Sequence, residues 1–136
     1  MFQAKLFLSL AENLKDGPRD NLFESKIRTS VGRSYYSVFL ATRSKIENVL
    51  KKELENRRDI HKTIITGLKQ SKNERIAQYG THLDSLQKYR HQADYRIRTN
   101  MAHNVAEVAY KLADTLFEEL TTIPDEDLKS LFRDIQ

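Results

Sequence analysis

The segment KYRHQADYRIRTNMAH, residues 88–103, concentrates the side chains most suited to chemistry. Helical steps of three and four residues put Ile76, Tyr79, Leu83, Leu86, Ala93 and Ile97 on one face, and Arg90 falls in the same phase. A guanidinium cannot shed its proton, so a cation on a core-facing stripe demands acidic or hydrogen-bonding partners, or a polar cavity. Asp94, one turn on, is the nearest such partner and suggests an internal ion pair; a polar pocket shared with Tyr95 or Tyr35 is the other arrangement. Tyr35, Tyr36, Tyr89 and Tyr95 are able to stack bases, although aromatic residues at helical spacing more often fill a core. His61 beside Lys62 suits a phosphate site or a half-exposed surface position, and His82 and His91 read as surface residues. The four histidines show no close metal-ligand spacing and there is no cysteine, so no metal site and no cofactor are expected. Phosphate-loop and nucleophile-elbow patterns are missing as well, which argues against kinase-like, GTPase-like and hydrolase chemistry.

The elements that must carry these residues are helices. Only four glycines and two prolines interrupt 136 residues, and 31% of the chain is charged, which favours long helices with solvated faces. The periodicity predicts helices over residues 2–15, with Phe2, Leu6, Leu10 and Leu14 on one face; from Asp20 or Asn21 to about 55; over 59–70; over 73–97; and from Thr99 or Asn100 to a stop before Pro124. In the last of these, Met101, Val105, Val108, Leu112, Leu116 and Leu120 form the apolar stripe. A short terminal helix is expected over 125–135. Together these give one all-α domain, residues 1–136, a mostly antiparallel bundle of four main helices plus short extra ones. No apolar run is long enough to span a membrane, and a cytoplasmic location is expected.

Charge is uneven. Residues 1–56 carry ten basic and seven acidic side chains, 57–98 ten and four, and 99–136 three and eight, giving +3, +6 and −5. A basic middle is compatible with phosphate binding, or simply with a solvated helix face.

Three ordered blocks carry a family resemblance. They are Arg33-Ser34-Tyr35-Tyr36-Ser37-Val38-Phe39, Asp59-Ile60-His61-Lys62, and Arg90-His91-Gln92-Ala93-Asp94-Tyr95. The chain resembles the HEPN superfamily over residues 1 to about 122, and in particular small prokaryotic members with an Arg-x-x-Ala-Asp-Tyr motif. The resemblance implies a two-fold homodimer, often encoded beside a nucleotidyltransferase-like antitoxin partner in toxin–antitoxin or defence modules, with RNA or a nucleotide as ligand. Arg33, Tyr35 and His61, lying in the matching blocks, join Arg90, Asp94 and Tyr95 as candidate binding or polar-cluster residues.

In the ribonuclease branch of that superfamily the site is an arginine followed, after four to six residues, by a histidine. Arg98 and His103 fit with four between them, although Thr99 departs from the usual Asn, Asp or His after the arginine. Arg75 with His82 and Arg96 with His103 satisfy the spacing too, so spacing alone selects little. Arg98 and His103 are preferred because they flank a helix N-terminus, where free N–H groups attract phosphate oxygens. Histidine moves protons near neutral pH and arginine offers a fixed fork of donors to phosphoryl oxygens. Two expectations follow: a metal-independent endoribonuclease at a dimer cleft, or a non-catalytic module that binds a nucleotide, RNA or a partner protein.

Overall fold

The computed structural model describes residues 3–135, and in that range it contains six helices and no strand: α1 (Ala4–Lys15), α2 (Phe23–Leu50), α3 (Ile60–Lys69), α4 (Glu74–Tyr95), α5 (His103–Thr122) and α6 (Asp125–Phe132). The fold is all-α. The 28-residue α2 is the spine, in contact with α1, α4, α5 and α6, while α3 packs on α4. Ile27, Val31, Tyr35, Val38, Phe39 and Ile46 of α2 meet Ile60, Ile64 and Leu68 of α3 and Ile76, Tyr79, Leu83 and Leu86 of α4 in one continuous core. No helix among the described residues is long and apolar enough to cross a membrane.

Helix α1 buries a different face from the expected one. Phe2 lies outside the described residues, Leu6 and Leu10 are exposed, and Leu8, Ala11 and Lys15 point inward. The small Ala11 lets α1 approach α2 closely enough for the Ser30 hydroxyl to donate to the Ala11 carbonyl at 2.7 Å. Helix α5 repeats the lesson: Val108 is exposed, and the buried stripe is Ala106, Ala109, Ala113, Leu116 and Leu120. Short alanine side chains bring the α5 backbone against the spine, a packing that hydrophobicity alone does not reveal.

Several helix ends also differ from expectation. Helix α2 begins at Phe23 because the Asp20 carboxylate accepts from the Leu22 N–H at 2.9 Å and holds a turn there. It stops at Leu50, with Lys51 left-handed at φ 55°, so that Leu54 can turn back into the core. Glu47 accepts from the Leu54 N–H at 2.8 Å, and Arg43 donates to the Leu54 carbonyl at 2.8 Å, which fixes that return. Helix α4 ends at Tyr95, leaving Ile97 in the following loop at 76% exposure instead of on the core stripe. Helix α5 starts at His103, not at Thr99 or Asn100, and its N-cap, Ala102, provides no side-chain cap. The terminal helix closes at Phe132, whose ring lies where a Cβ on Gly67 would meet it at 2.6 Å, so only glycine admits α6 against α3 at that point.

Candidate functional site

The loop of residues 96–102 is braced from α2. Arg28, one turn into that helix, reaches the end of α4: its Nη1 donates to the carbonyls of Gln92 at 3.3 Å and Ala93 at 2.8 Å. Its Nη2 donates to the carbonyls of Arg96 at 3.0 Å and Thr99 at 2.5 Å. The last carbonyls of a helix lack partners within it and carry partial negative charge, so a guanidinium is well matched to them. Glu24, one turn earlier on α2, accepts from the Met101 N–H at 3.0 Å. The loop backbone is thus pinned near its two ends by one cation and one carboxylate. Arg98 stands on this braced loop, exposed, and makes no hydrogen bond, ion pair or ring contact with any described residue.

His103 opens α5 and turns toward the end of α1. Its Nε2 lies 2.9 Å from the Lys15 carbonyl. A carbonyl only accepts, so Nε2 carries the proton and Nδ1 is left as the basic nitrogen. The ring stacks on Phe23 at 6.0 Å between centroids, and Glu107, one turn on, brings an oxygen to 3.7 Å from Nε2. In the single chain Arg98 and His103 do not touch.

Asp16, His103 and Glu107 place one ligand atom each within 4.8 Å of one another, a separation compatible with a metal. The buried Lys15 already serves that group, with its ammonium 3.0 Å from Asp16 and 2.8 Å from Glu107. Burial disfavours its charge, but hydrogen bonds to Glu107 and Asp16 outweigh it and hold the pKa above the ordinary lysine value. The two carboxylates thus share one resident cation, the Lys15 ammonium.

A second constellation lies between α2, α3 and α4. Tyr35 is fully buried, and its hydroxyl meets His61 Nδ1 at 2.5 Å. Burial pushes the Tyr35 phenol well above its usual range, while burial and then the Arg90 and Arg43 cations hold His61 below its own. The phenol therefore donates and Nδ1 accepts, which puts the imidazole proton on Nε2. His61 lies flat on Phe39, 3.8 Å between centroids and 6° from parallel, with the Tyr36 ring edge-on at 5.9 Å. Arg90 sits 5.3 Å over Tyr36, and its Nε is 2.9 Å from an Asp94 oxygen, close enough for an ion pair but without the alignment of a hydrogen bond.

Arg90 is therefore half-buried against an aromatic ring at the margin of the core, and Asp94 is its ion-pair partner, as the helical spacing suggested. Arg33 covers the Phe7 ring at 4.8 Å and, with Arg28, Thr29, Gly32, Tyr36 and Asp94, lines a cleft of about 180 Å³. Tyr95 stands apart, exposed at the end of α4, touching His91 with 4.6 Å between ring centroids. Of the sequence candidates, the fold joins Tyr35, His61 and Arg90 in one cluster, sets Arg33 beside Asp94 in the neighbouring cleft, and leaves Tyr95 on the surface.

Arg28, Glu24 and Lys15 escaped the sequence reading. Each is a charged residue on an amphipathic helix, and its partners are backbone carbonyls, a backbone N–H, or carboxylates on a distant helix. The buried phase of Lys15, one turn after Ala11, was the one available signal.

Comparison with protein-family models gives a match to the HEPN domain over residues 2–123. No curated protein and no solved structure matches the chain.

Proposed function

Since the chain belongs to the HEPN domain family, we propose that it is a metal-independent endoribonuclease, with Arg98 and His103 as its catalytic residues at a homodimer cleft. The observation that carries this reading is the contrast at the α4–α5 junction: the backbone of the loop is held by Arg28 and Glu24, while the Arg98 guanidinium on it is free. Five residues on, His103 has Nε2 anchored to the Lys15 carbonyl and Nδ1 available. The α5 N-terminus adds backbone N–H groups that no side chain caps.

The chemistry follows from these groups. Nδ1 of one His103 takes the proton from a ribose 2′-hydroxyl, and that oxygen attacks the adjacent phosphorus. Arg98 donates to the phosphoryl oxygens as negative charge grows on them. The 5′-oxygen leaves with a proton, and the products are a 2′,3′-cyclic phosphate and a 5′-hydroxyl. One histidine cannot readily act as base and acid in the same step. HEPN domains often dimerise, and in a two-fold dimer the second His103, in its imidazolium form with a proton on Nδ1 as well, gives that proton to the leaving 5′-oxygen. A nucleotidyltransferase-like antitoxin fits the same reading as the partner that restrains such a toxin or defence enzyme.

The test is incubation of the purified protein with tRNA and with single-stranded RNA in EDTA. Wild type should cleave, and Arg98→Ala and His103→Ala should each lose at least about 100-fold in rate. Undiminished cleavage by His103→Ala removes His103 from the mechanism.

A second reading is favoured by the Tyr35–His61–Arg90 cluster, whose His61 Nε2–H and Arg90 guanidinium are donors suited to a phosphate oxygen. On that reading the protein is a non-catalytic HEPN module for a nucleotide, RNA or a partner protein. Intact RNA in the same assay, together with a measurable RNA or nucleotide complex weakened by Arg90→Gln, would select it.

A further inference from the structure

The end of α4 presents large apolar and aromatic surface that its own packing does not use. Tyr95 is 63% exposed and Ile97 76% exposed. Local fraying does not explain this, because Arg28 fixes the carbonyls of Gln92, Ala93, Arg96 and Thr99 on either side of them. The Tyr95 ring meets His91 with centroids 4.6 Å apart and planes 44° apart, so one flank of the phenol is supported and the rest faces outward. Arg96 and Arg98 alternate with these residues, are exposed, and have no side-chain partner among the described residues. The nearest carboxylate in sequence, Asp94, is engaged by Arg90.

A rigid aromatic ledge flanked by unpaired guanidinium groups has the ingredients for binding unpaired bases. Every base has a stacking face, and the adjacent backbone supplies the negative charge that the arginines lack. A duplex offers its phosphates to the same cations but hides its base faces within the stack. We propose that Tyr95, supported by His91 and flanked by Arg96 and Arg98, is a base-stacking subsite that selects single-stranded over double-stranded RNA. The proposal rests on RNA being the ligand, and it does not require cleavage.

The experiment measures binding of a fluorescent, fully 2′-O-methylated single-stranded 12-mer, which this mechanism cannot cleave, beside the blunt duplex of the same sequence. Tyr95→Ala should weaken single-strand binding by about 5- to 100-fold, the range for losing one stacked base, and leave duplex binding within about twofold. Tyr95→Phe, which keeps the stacking face, should bind as wild type. Arg96→Gln should weaken both forms and lower the salt dependence by about one phosphate contact. Single-strand affinity unchanged in Tyr95→Ala, or an equal loss for single strand and duplex, overturns the subsite even if the enzyme cleaves RNA. Binding of neither form by wild type also overturns it. Selective loss in Tyr95→Ala sustains it even if no cleavage is ever seen.

Discussion

Replacing Arg28 by methionine keeps most of the aliphatic stem and removes the head that closes α4 and holds the loop. The Arg28 side chain is 14% exposed, and its two better-buried contacts go to Gln92 and Ala93. A hydrogen bond from a charged donor contributes about 1.5–3 kcal/mol net, and a cation at a helix C-terminus about 0.3–1 kcal/mol, which overlaps with it. The contacts to Arg96 and Thr99 are more exposed, so water replaces them at little loss. The ion pair with Glu24, 4.0 Å apart with a carboxylate 45% exposed, adds almost nothing. The sum is about 2–3 kcal/mol, equivalent in a domain of this size to a fall in melting temperature of about 6–12 °C. Hydrogen exchange separates the local effect from the global one. The Arg96 amide, bonded to the Gln92 carbonyl that Arg28 supports, should exchange about 30- to 100-fold faster in Arg28→Met, while Met101, held by Glu24, changes little and core amides of α2 keep pace with global stability. Unchanged exchange at Arg96 together with an unchanged melting temperature would refute the bracing role. A lower melting temperature without faster local exchange would show that Arg28 supports the fold and not the loop.

Two further perturbations probe the polar groups of the core. Thr42 donates to the Val38 carbonyl at 2.7 Å, so in its 2.6 Å contact with Tyr79 the phenol must be the donor. Thr42→Val strands that buried donor and should cost about 1–3 kcal/mol in urea unfolding, whereas Tyr79→Phe should cost only about 0.5–1.5 kcal/mol; the reverse order would contradict the assigned directions. His61, held below its ordinary 6.5 by burial and then by Arg90 and Arg43, takes up its proton more readily when unfolded. Its contribution to stability is therefore present above about pH 6.5 and lost as pH falls through the folded value. Urea midpoints at pH 7.5 and 5 should differ more in wild type than in His61→Gln, and equal differences would count against a buried neutral imidazole.

Helix positions were legible because the spine and α4 follow a clean 3.6-residue period, with Tyr35, Phe39, Ile46, Leu83 and Leu86 all inward. The faces of α1 and α5 were not legible. Both helices carry bulky apolar residues on one side and alanines on another, and only the distance between helix axes decides for Ala11, Ala106, Ala109 and Ala113. The pairing of Arg90 with Asp94 could be read from spacing because both lie on one helix. The Arg28 brace could not, since its acceptors are carbonyls 64 to 71 residues away that exist only once α4 has ended. Ile97 was misplaced for the same reason: continuing the α4 period past Tyr95 ignores the arginine that terminates it.

Cleavage by side chains alone, through the RNA's own 2′-hydroxyl, leaves a signature in the ends of the fragments. The most direct measurement is mass analysis of the products from one single-stranded RNA in EDTA, beside the same strand fully 2′-O-methylated. The first should yield fragments ending in 2′,3′-cyclic phosphate, and the second strand should stay intact. RNA left whole in EDTA, cut only when magnesium is added, or cut in the 2′-O-methylated strand would contradict cleavage by side chains alone.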